Sequence, residues 1–486
     1  MDYLHILHTI LKIAIYITYF AGIIYVVVTA ILQNGNPVKT ISWILVLVLL
    51  PVIGFIFFMF LGQNLRKEKI IARKGLKNHD SITSIAHEQV NNLSEIKNIN
   101  SLYEDNIQLI TLLLNNSNAV VTVGNKVDIL HDGNMTFESV ISAIENAQSF
   151  IHLEYYIFAD DNIGRRIIDI LKRKAQSGIE VRMIVDDVGS WELKTPFYKE
   201  MWNSNIYIYS FLRVHFPKLT SKINYRNHRK IIIVDGKVGF VGGLNIADRY
   251  ISGNKKLGIW RDTHLRIEGD AVNSLQTVFS IDWYFVSKEE LNDKKYFPHQ
   301  KPIHDKTVQI VSSGADSDWP SIMMGIIHAI TSAKQSVYIE TPYLIPTEGV
   351  LLALKTAALA GIDIKIIMPQ KSDSMITLFS TRSYIRELLE AGVKIYFYQK
   401  GFLHSKILII DNFVSIVGSA NMDFRSFEQN FEISAFIYNT DIAQELTEKF
   451  FEDISNSNFI TLTDWHSRSR MEKVKESFAR LISPMM

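Results

Sequence analysis

His228-Arg229-Lys230-Ile231-Ile232-Ile233-Val234-Asp235, with Asn245 following, has a spacing that this 486-residue chain uses once more. The second copy is His404-Ser405-Lys406-Ile407-Leu408-Ile409-Ile410-Asp411, with Asn421 following. In both, Lys comes two residues after His, Asp seven and Asn seventeen. Each apolar run between Lys and Asp suits a central strand covered on both faces. Alternate residues of a strand share a face, so His228 projects with Lys230 and His404 with Lys406. Asp235 and Asp411 have the opposite parity and follow the run, so a turn-holding role competes there with a catalytic one.

The repeat extends outward. Ala143-Ile144 through Ile151-His152-Leu153-Glu154 aligns without gaps on Ala329-Ile330 through Val337-Tyr338-Ile339-Glu340. Gly178-Ile179-Glu180-Val181 then matches Gly361-Ile362-Asp363-Ile364. Each half reads as helix, strand, helix, strand and motif strand, with Ser149 to Tyr156 and Val181 to Val185 as strands and Arg165 to Ser177 as an amphipathic helix. The period is too long for a solenoid and predicts a duplicated α/β domain, with halves at 116–295 and 296–460. A pseudo-two-fold axis between them would bring both motif strands to one site.

Two imidazoles, two ammonium groups and two amides suit a phosphodiester. His228 and His404 supply proton and phosphoryl transfer, one attacking phosphorus and the other serving the leaving and entering hydroxyls. Lys230 and Lys406 act as point charges, and Asn245 and Asn421, with Ser419 beside the latter, donate to phosphate oxygens. Each imidazole needs a carboxylate on its second nitrogen, and Asp262 and Glu432 are the candidates. The scheme needs no metal or cofactor. Gly242, Gly243 and Gly418 are expected to let the backbone approach a ligand closely. His264 shares a strand face with Asp262 and reads as a support residue. His79, His87, His152, His299, His304 and His328 read as surface or core. Tyr155, Tyr156, Phe158 and Tyr343 fit either an acyl channel or core packing.

Net charge is only +1 and there are no cysteines, which argues against a nucleic-acid binder and excludes disulfides and thiolate sites. Ile13 to Leu32 and Ile41 to Leu61 are free of charge and each long enough to cross a bilayer as a helix. The polar turn between them, with Asn34, Gly35, Asn36 and Pro37, predicts a transmembrane hairpin over 1–62. Arg66, Lys67, Lys69, Arg73, Lys74 and Lys77 follow it, so the N-terminus and everything after residue 62 are expected on the cytoplasmic side of the cell membrane. A basic flank and linker is expected over 63–115. The C-terminal 461–486 reads as a basic amphipathic helix with Met471, Val474, Phe478 and Leu481 on one face, to lie on lipid or dock on the catalytic part.

These residues resemble the phospholipase D superfamily and, within it, bacterial cardiolipin synthases. The resemblance rests on the two His-x-Lys-x-x-x-x-Asp motifs, Gly242-Gly243-Leu244-Asn245, Trp260-Arg261-Asp262-Thr263-His264, Gly418-Ser419-Ala420-Asn421-Met422-Asp423-Phe424-Arg425-Ser426, Asn430-Phe431-Glu432 and the N-terminal pattern with Asn36-Pro37, Trp43, Pro51 and Gly54. It implies two phospholipase D-like domains condensing two phosphatidylglycerol molecules to cardiolipin and glycerol, with His228 as nucleophile and His404 as acid and base. Lipids are the implied partners, with no nucleic acid. A hydrolase releasing phosphatidic acid, a transferase for another head group and a catalytically silent membrane scaffold are the rival readings. A nuclease is disfavoured by the charge balance and the apolar N-terminus.

Overall fold

The computed structural model describes residues 2–32, 37–49, 54, 77–91, 101–214 and 225–483. The sequence repeat reappears as a repeat of strands. The first half contributes β1 (Val121–Leu130), β2 (Phe150–Tyr155), β3 (Glu180–Asp186), β4 (Ile206–Phe211), β5 (Lys230–Val234), β6 (Val238–Gly242), β7 (Ile259–Arg261) and β8 (His264–Glu268). The second contributes β9 (Lys306–Ser313), β10 (Ser336–Glu340), β11 (Leu344–Ile345), β12 (Asp363–Pro369), β13 (Lys394–Tyr398), β14 (Gly401–Leu403), β15 (Ile407–Ile410), β16 (Val414–Gly418), β17 (Met422–Asp423), β18 (Glu432–Tyr438) and β19 (Ser457–Ile460).

Fifteen of these strands form one sheet. From its centre the first half runs β1-β8-β6-β5-β2-β3-β4 and the second β9-β18-β16-β15-β10-β12-β13-β19, joined by the antiparallel pair β1 and β9. The two orders correspond strand for strand until β19 is added at the edge, so this is a mixed α/β fold of two repeated domains. β2, β3 and β4 are parallel, as are β10, β12 and β13, while β5 and β15 run antiparallel to β2 and β10. All residues of β5 and β15 are buried, which is why the stretches 231–234 and 407–410 are wholly apolar. Gly178 (φ +91°) and Gly361 (φ +96°) turn the chain into β3 and β12 through left-handed backbone that an L-residue adopts only with strain.

The segments entering the motif strands lie against the opposite half. The His228 N–H donates to the Phe431 carbonyl at 2.9 Å, and the Phe431 N–H to the Arg226 carbonyl at 2.8 Å. In the second half β14 pairs in parallel with β7, and the His404 N–H donates to the Arg261 carbonyl at 2.7 Å. Backbone hydrogen bonds therefore fix each histidine to the other half.

Two expectations are refined. The linker expected before residue 116 contains two helices, Lys77–Asn91 and Ser101–Ser117. Tyr103, Ile107, Ile110, Leu113 and Leu114 on the second pack into the core of the second half, because that face is apolar at helical spacing. The C-terminal segment forms two helices, Leu462–Ser467 and Arg470–Ile482, the latter opened by a capping box from Ser469 and Glu472. This last helix docks on the helix Met375–Glu390, with Ser380 Oγ donating to the Ala479 carbonyl at 3.2 Å and Arg480 pairing with Glu387 at 2.6 Å. Met471, Val474, Phe478 and Leu481 stay exposed on it.

At the N-terminus the helix Asp2–Leu32 contains one window, His5–Ile24, long and apolar enough to cross a membrane. It overlaps the first expected span and begins earlier, taking in Lys12. A second helix covers Pro37–Leu49. Most of the remainder of the second expected span, and the basic cluster from Arg66 to Lys74, lie outside the described residues.

Candidate active site

His228 and His404 open onto one cleft of about 630 Å³. The crossing segments aim them there, and a carboxylate from the opposite half holds each ring. His228 Nδ1 lies 3.0 Å from both carboxylate oxygens of Glu432, and His404 Nδ1 lies 2.6 Å from Asp262 Oδ2. Glu432 and Asp262 are almost fully buried. With Nδ1 engaged, Nε2 is the ring nitrogen left for chemistry.

Asp262 and Glu432 reach the rings by different local means. A Cβ on Gly243 would come within 2.1 Å of Asp262 Oδ1, so the missing side chain there is what admits the carboxylate. At the matching place in the second half Ser419 donates to Glu432 Oε2 and accepts the Ile433 N–H at 3.0 Å. Ser419, expected among the phosphate donors, instead positions the histidine-orienting glutamate. The glycines likewise make room for protein: a Cβ on Gly242 would meet His264, and one on Gly418 would meet Ser434 and the Ile433 carbonyl.

The lysines stand beside their histidines. Lys406 Nζ is 2.9 Å from His404 Nδ1 and 3.2 Å from its Nε2, and Lys230 Nζ donates to the His228 carbonyl at 2.6 Å. Burial pushes Lys230 down to about 7 and Lys406 down to about 8, so an arriving phosphodiester would strengthen the charge that binds it. Burial lowers His228 and His404 to about 4, opposed by Glu432 and Asp262 respectively, with Lys406 lowering His404 further. Burial raises both orienting carboxylates, but neighbouring charges win. Lys406 and His404 hold Asp262 below its ordinary range, and His228 and Lys230 do the same for Glu432.

Asn245 and Asn421 line the cleft. Asn245 Oδ1 accepts the Ile157 N–H at 3.1 Å and its amide donates to the Tyr250 hydroxyl at 2.7 Å. The Asn421 amide donates to Asp423 at 3.2 Å.

Asp235 and Asp411 are not in the site. At the far ends of β5 and β15 they adopt left-handed φ values of 55° and 51°. Asp235 accepts the N–H groups of Gln148, Ser149 and Phe150 at 2.7–3.0 Å, and Asp411 those of Lys334, Gln335 and Ser336 at 2.7–2.9 Å. Their opposite parity and turn position carry this outcome, which corrects the catalytic assignment suggested by motif spacing. His264 is buried with neither ring nitrogen hydrogen-bonded among the described residues, so it is a core residue. Tyr155 and Phe158 also pack in the core, whereas Tyr156 and Tyr343 line the cleft, with the Tyr156 ring 4.9 Å from that of His228.

Sequence reasoning gave no role to Tyr250, Trp260, Arg226, Arg249 or Arg425, all of which line the cleft. The available signal was offset: Arg249 and Arg425 each follow the motif asparagine by four residues.

Comparison with known proteins agrees with this geometry. The family described as "Cardiolipin synthase, PLD-like domain" matches residues 140–283 and 326–454, and "Phospholipase_D-nuclease N-terminal" matches residues 21–63. The chain is 41% identical to a cardiolipin synthase of Halalkalibacterium halodurans, over 96% of this chain and 92% of that one. It is 39% identical to one of Alkalihalophilus pseudofirmus, over 97% and 93%. With cardiolipin synthase 2 of Staphylococcus epidermidis the identity is 38%, over 99% and 100%. Among solved structures, a phosphatidylserine synthase of Haemophilus influenzae superposes with a TM-score of 0.58 at 14% identity, over 74% of this chain and 95% of that one, a likeness of fold. With its duplicated domains and its paired His-x-Lys motifs, the chain belongs to the cardiolipin synthase family of phospholipase D-superfamily enzymes.

Proposed function

We propose that the protein is a membrane phosphatidyltransferase that condenses two phosphatidylglycerol molecules to cardiolipin and glycerol. What carries the reading is the crossed pair of imidazoles. Each is anchored through Nδ1 by a carboxylate of the other half and faces one cleft lined by two asparagines, with a buried lysine beside each histidine. His228 Nε2 attacks the donor phosphorus, the bond to the glycerol oxygen breaks, and that oxygen takes the proton of His404. The hydroxyl of the second lipid then gives its proton to His404, its oxygen bonds to phosphorus, and the bond to His228 breaks. Lys230, Lys406, Asn245 and Asn421 hold the phosphoryl oxygens as charge builds on them. Glu432 and Asp262 fix tautomer and direction.

Both substrates and the cardiolipin product are lipids, which suits an N-terminal apolar helix. Two N-terminal spans with the catalytic part on the cytoplasmic side of the cell membrane complete the reading, since basic residues follow the second apolar run.

The test uses detergent-purified protein, labelled phosphatidylglycerol and no added metal. Equal amounts of cardiolipin and glycerol, lost in His228→Ala and in His404→Ala, support the synthase. Phosphatidic acid as the main product means that water is the acceptor. No turnover of phosphatidylglycerol rejects the catalytic reading. A phosphatidyl ester with a good leaving group separates the histidines: His404→Ala releases about one equivalent of leaving group in a burst, and His228→Ala releases none.

A further inference from the structure

The condensation proposed above brings a second anion into the cleft. The acceptor lipid carries its own phosphodiester, one glycerol away from the phosphorus under attack. The two histidines and two lysines serve the reacting phosphate. A second phosphate beside it needs a cation of its own, because like charges held that close in a partly desolvated cleft repel strongly.

The cleft holds a duplicated cation that the mechanism does not use. Arg249 follows Asn245, and Arg425 follows Asn421, by the same four residues, and both line the cleft. The two stand beside different histidines. The Arg249 guanidinium lies 5.4 Å from the Trp260 ring and 5.8 Å from the Tyr250 ring. Those rings pack 5.1 and 5.8 Å from His404. The Arg425 charge acts instead on Tyr156, whose ring packs on His228. No ion pair joins Arg249 to the neighbouring Asp248 among the described residues, and the Asp248 carboxylate accepts the N–H groups of Asn162 and Ile163 instead. Arg249 Nε is buried and has no hydrogen-bond partner among the described residues.

We propose that Arg249 binds the phosphodiester of the acceptor lipid. Leaving and entering hydroxyls both meet the acid-base histidine, so the acceptor's phosphate lies on the His404 side, where Arg249 stands. The chemistry of arginine suits this role, since its planar fork takes two phosphate oxygens at once and stacking on Trp260 and Tyr250 preorganises it. Arg249 thereby selects a charged acceptor over water or a neutral alcohol.

The experiment follows two transfers from one phosphatidyl-enzyme, using the full chain in vesicles of phosphatidylglycerol and phosphatidylcholine with labelled free glycerol added. Cardiolipin reports transfer to an anionic acceptor, and label entering phosphatidylglycerol reports transfer to a neutral one. In Arg249→Ala the ratio of cardiolipin to glycerol exchange falls about tenfold, and phosphatidic acid rises relative to cardiolipin. Arg249→Lys, which keeps the charge and loses the fork, falls about threefold in the same ratio and provides the readout should the alanine variant not fold. Equal loss of both transfers in either folded variant overturns the assignment. If the unaltered protein exchanges glycerol but makes no cardiolipin, the synthase reading itself fails.

Discussion

In the first half, Arg229 sits inside the motif and pairs with Asp282 on the helix Ala271–Ser287, with Glu154 of β2 in the same buried cluster. In the second half Ser405 takes that place in the motif, and the guanidinium comes from Arg261 of the first half. Arg261 reaches Asp453 on the helix Thr440–Ser455 at 2.8 Å and Glu340 of β10 at 3.7 Å. The two clusters have the same composition, glutamate, aspartate and arginine, at matching places. They differ in where the cation originates. The same Arg261 bonds Ser405 Oγ at 3.1 Å and immediately precedes Asp262, which orients His404. The second motif therefore depends on the first half for both its carboxylate and its buried cation. The first motif borrows only Glu432. The reciprocal exchange of carboxylates makes the site a property of the pair, and the unreciprocated Arg261 ties the second motif more closely to the first half.

The sharpest way to separate the two histidines is to neutralise their partners. Glu432→Gln and Asp262→Asn each lower turnover of phosphatidylglycerol about 10²–10³-fold, through lost tautomer and orientation. A donor lipid with a good leaving group restores the initial burst in Asp262→Asn and not in Glu432→Gln, because only the former disturbs the acid. Equal rescue of both would break the division of roles.

The borrowed cation comes next. Arg261→Met leaves Asp453 and Glu340 buried without their counter-charge and costs about 3–5 kcal/mol of stability, measured by thermal or denaturant unfolding. Burial and the neighbouring Asp453 push Glu340 up against the pull of Arg261, so loss of that cation pushes it up further. Arg229→Met removes the matching cation from Asp282 and Glu154. At equal folded fraction Arg261→Met loses more His404-dependent chemistry than Arg229→Met does, as read by the ratio of good to poor leaving-group turnover.

The lysines set the pH response. Lys230 and Lys406 bind phosphate only when protonated, and their charge is lost as pH rises through about 7 and about 8. kcat/KM for phosphatidylglycerol therefore falls on the alkaline side of that window. It also falls on the acid side as His228 protonates near 4, while His404, lowered by burial to the same range, takes up the proton it donates when the anionic phosphate arrives beside it. Lys230→Arg, which keeps its charge, moves the onset of the alkaline limb upward from about 7 toward about 8, where Lys406 titrates, even where it lowers the maximum. An alkaline limb unmoved in that variant would assign it to another group.

The smallest effect on chemistry is expected at the motif aspartates. Asp235→Asn and Asp411→Asn weaken three accepted backbone hydrogen bonds apiece and cost about 1–3 kcal/mol of stability. Activity per folded molecule stays within about threefold of the unaltered protein. A loss comparable to that of Glu432→Gln would return these aspartates to the catalytic set.

The sequence by itself determined the duplication, the strand character of both motifs and the identity of the His, Lys and Asn residues. Period-two alternation, apolar runs and repeated offsets are local properties, written along the chain at fixed spacing. It also singled out Asp262 and Glu432 without saying which histidine each would serve. Tertiary structure decided that pairing, because the partners lie 142 and 204 residues apart in sequence and meet only when the halves cross. It decided that Ser419 supports Glu432, and that the residues of 101–117 belong to a core. It divided Tyr155 from Tyr156, neighbours in the chain that face opposite sides of one strand end. Contacts between halves follow from how the strands of the two halves join into one sheet through β1 and β9, and no local pattern encodes that join.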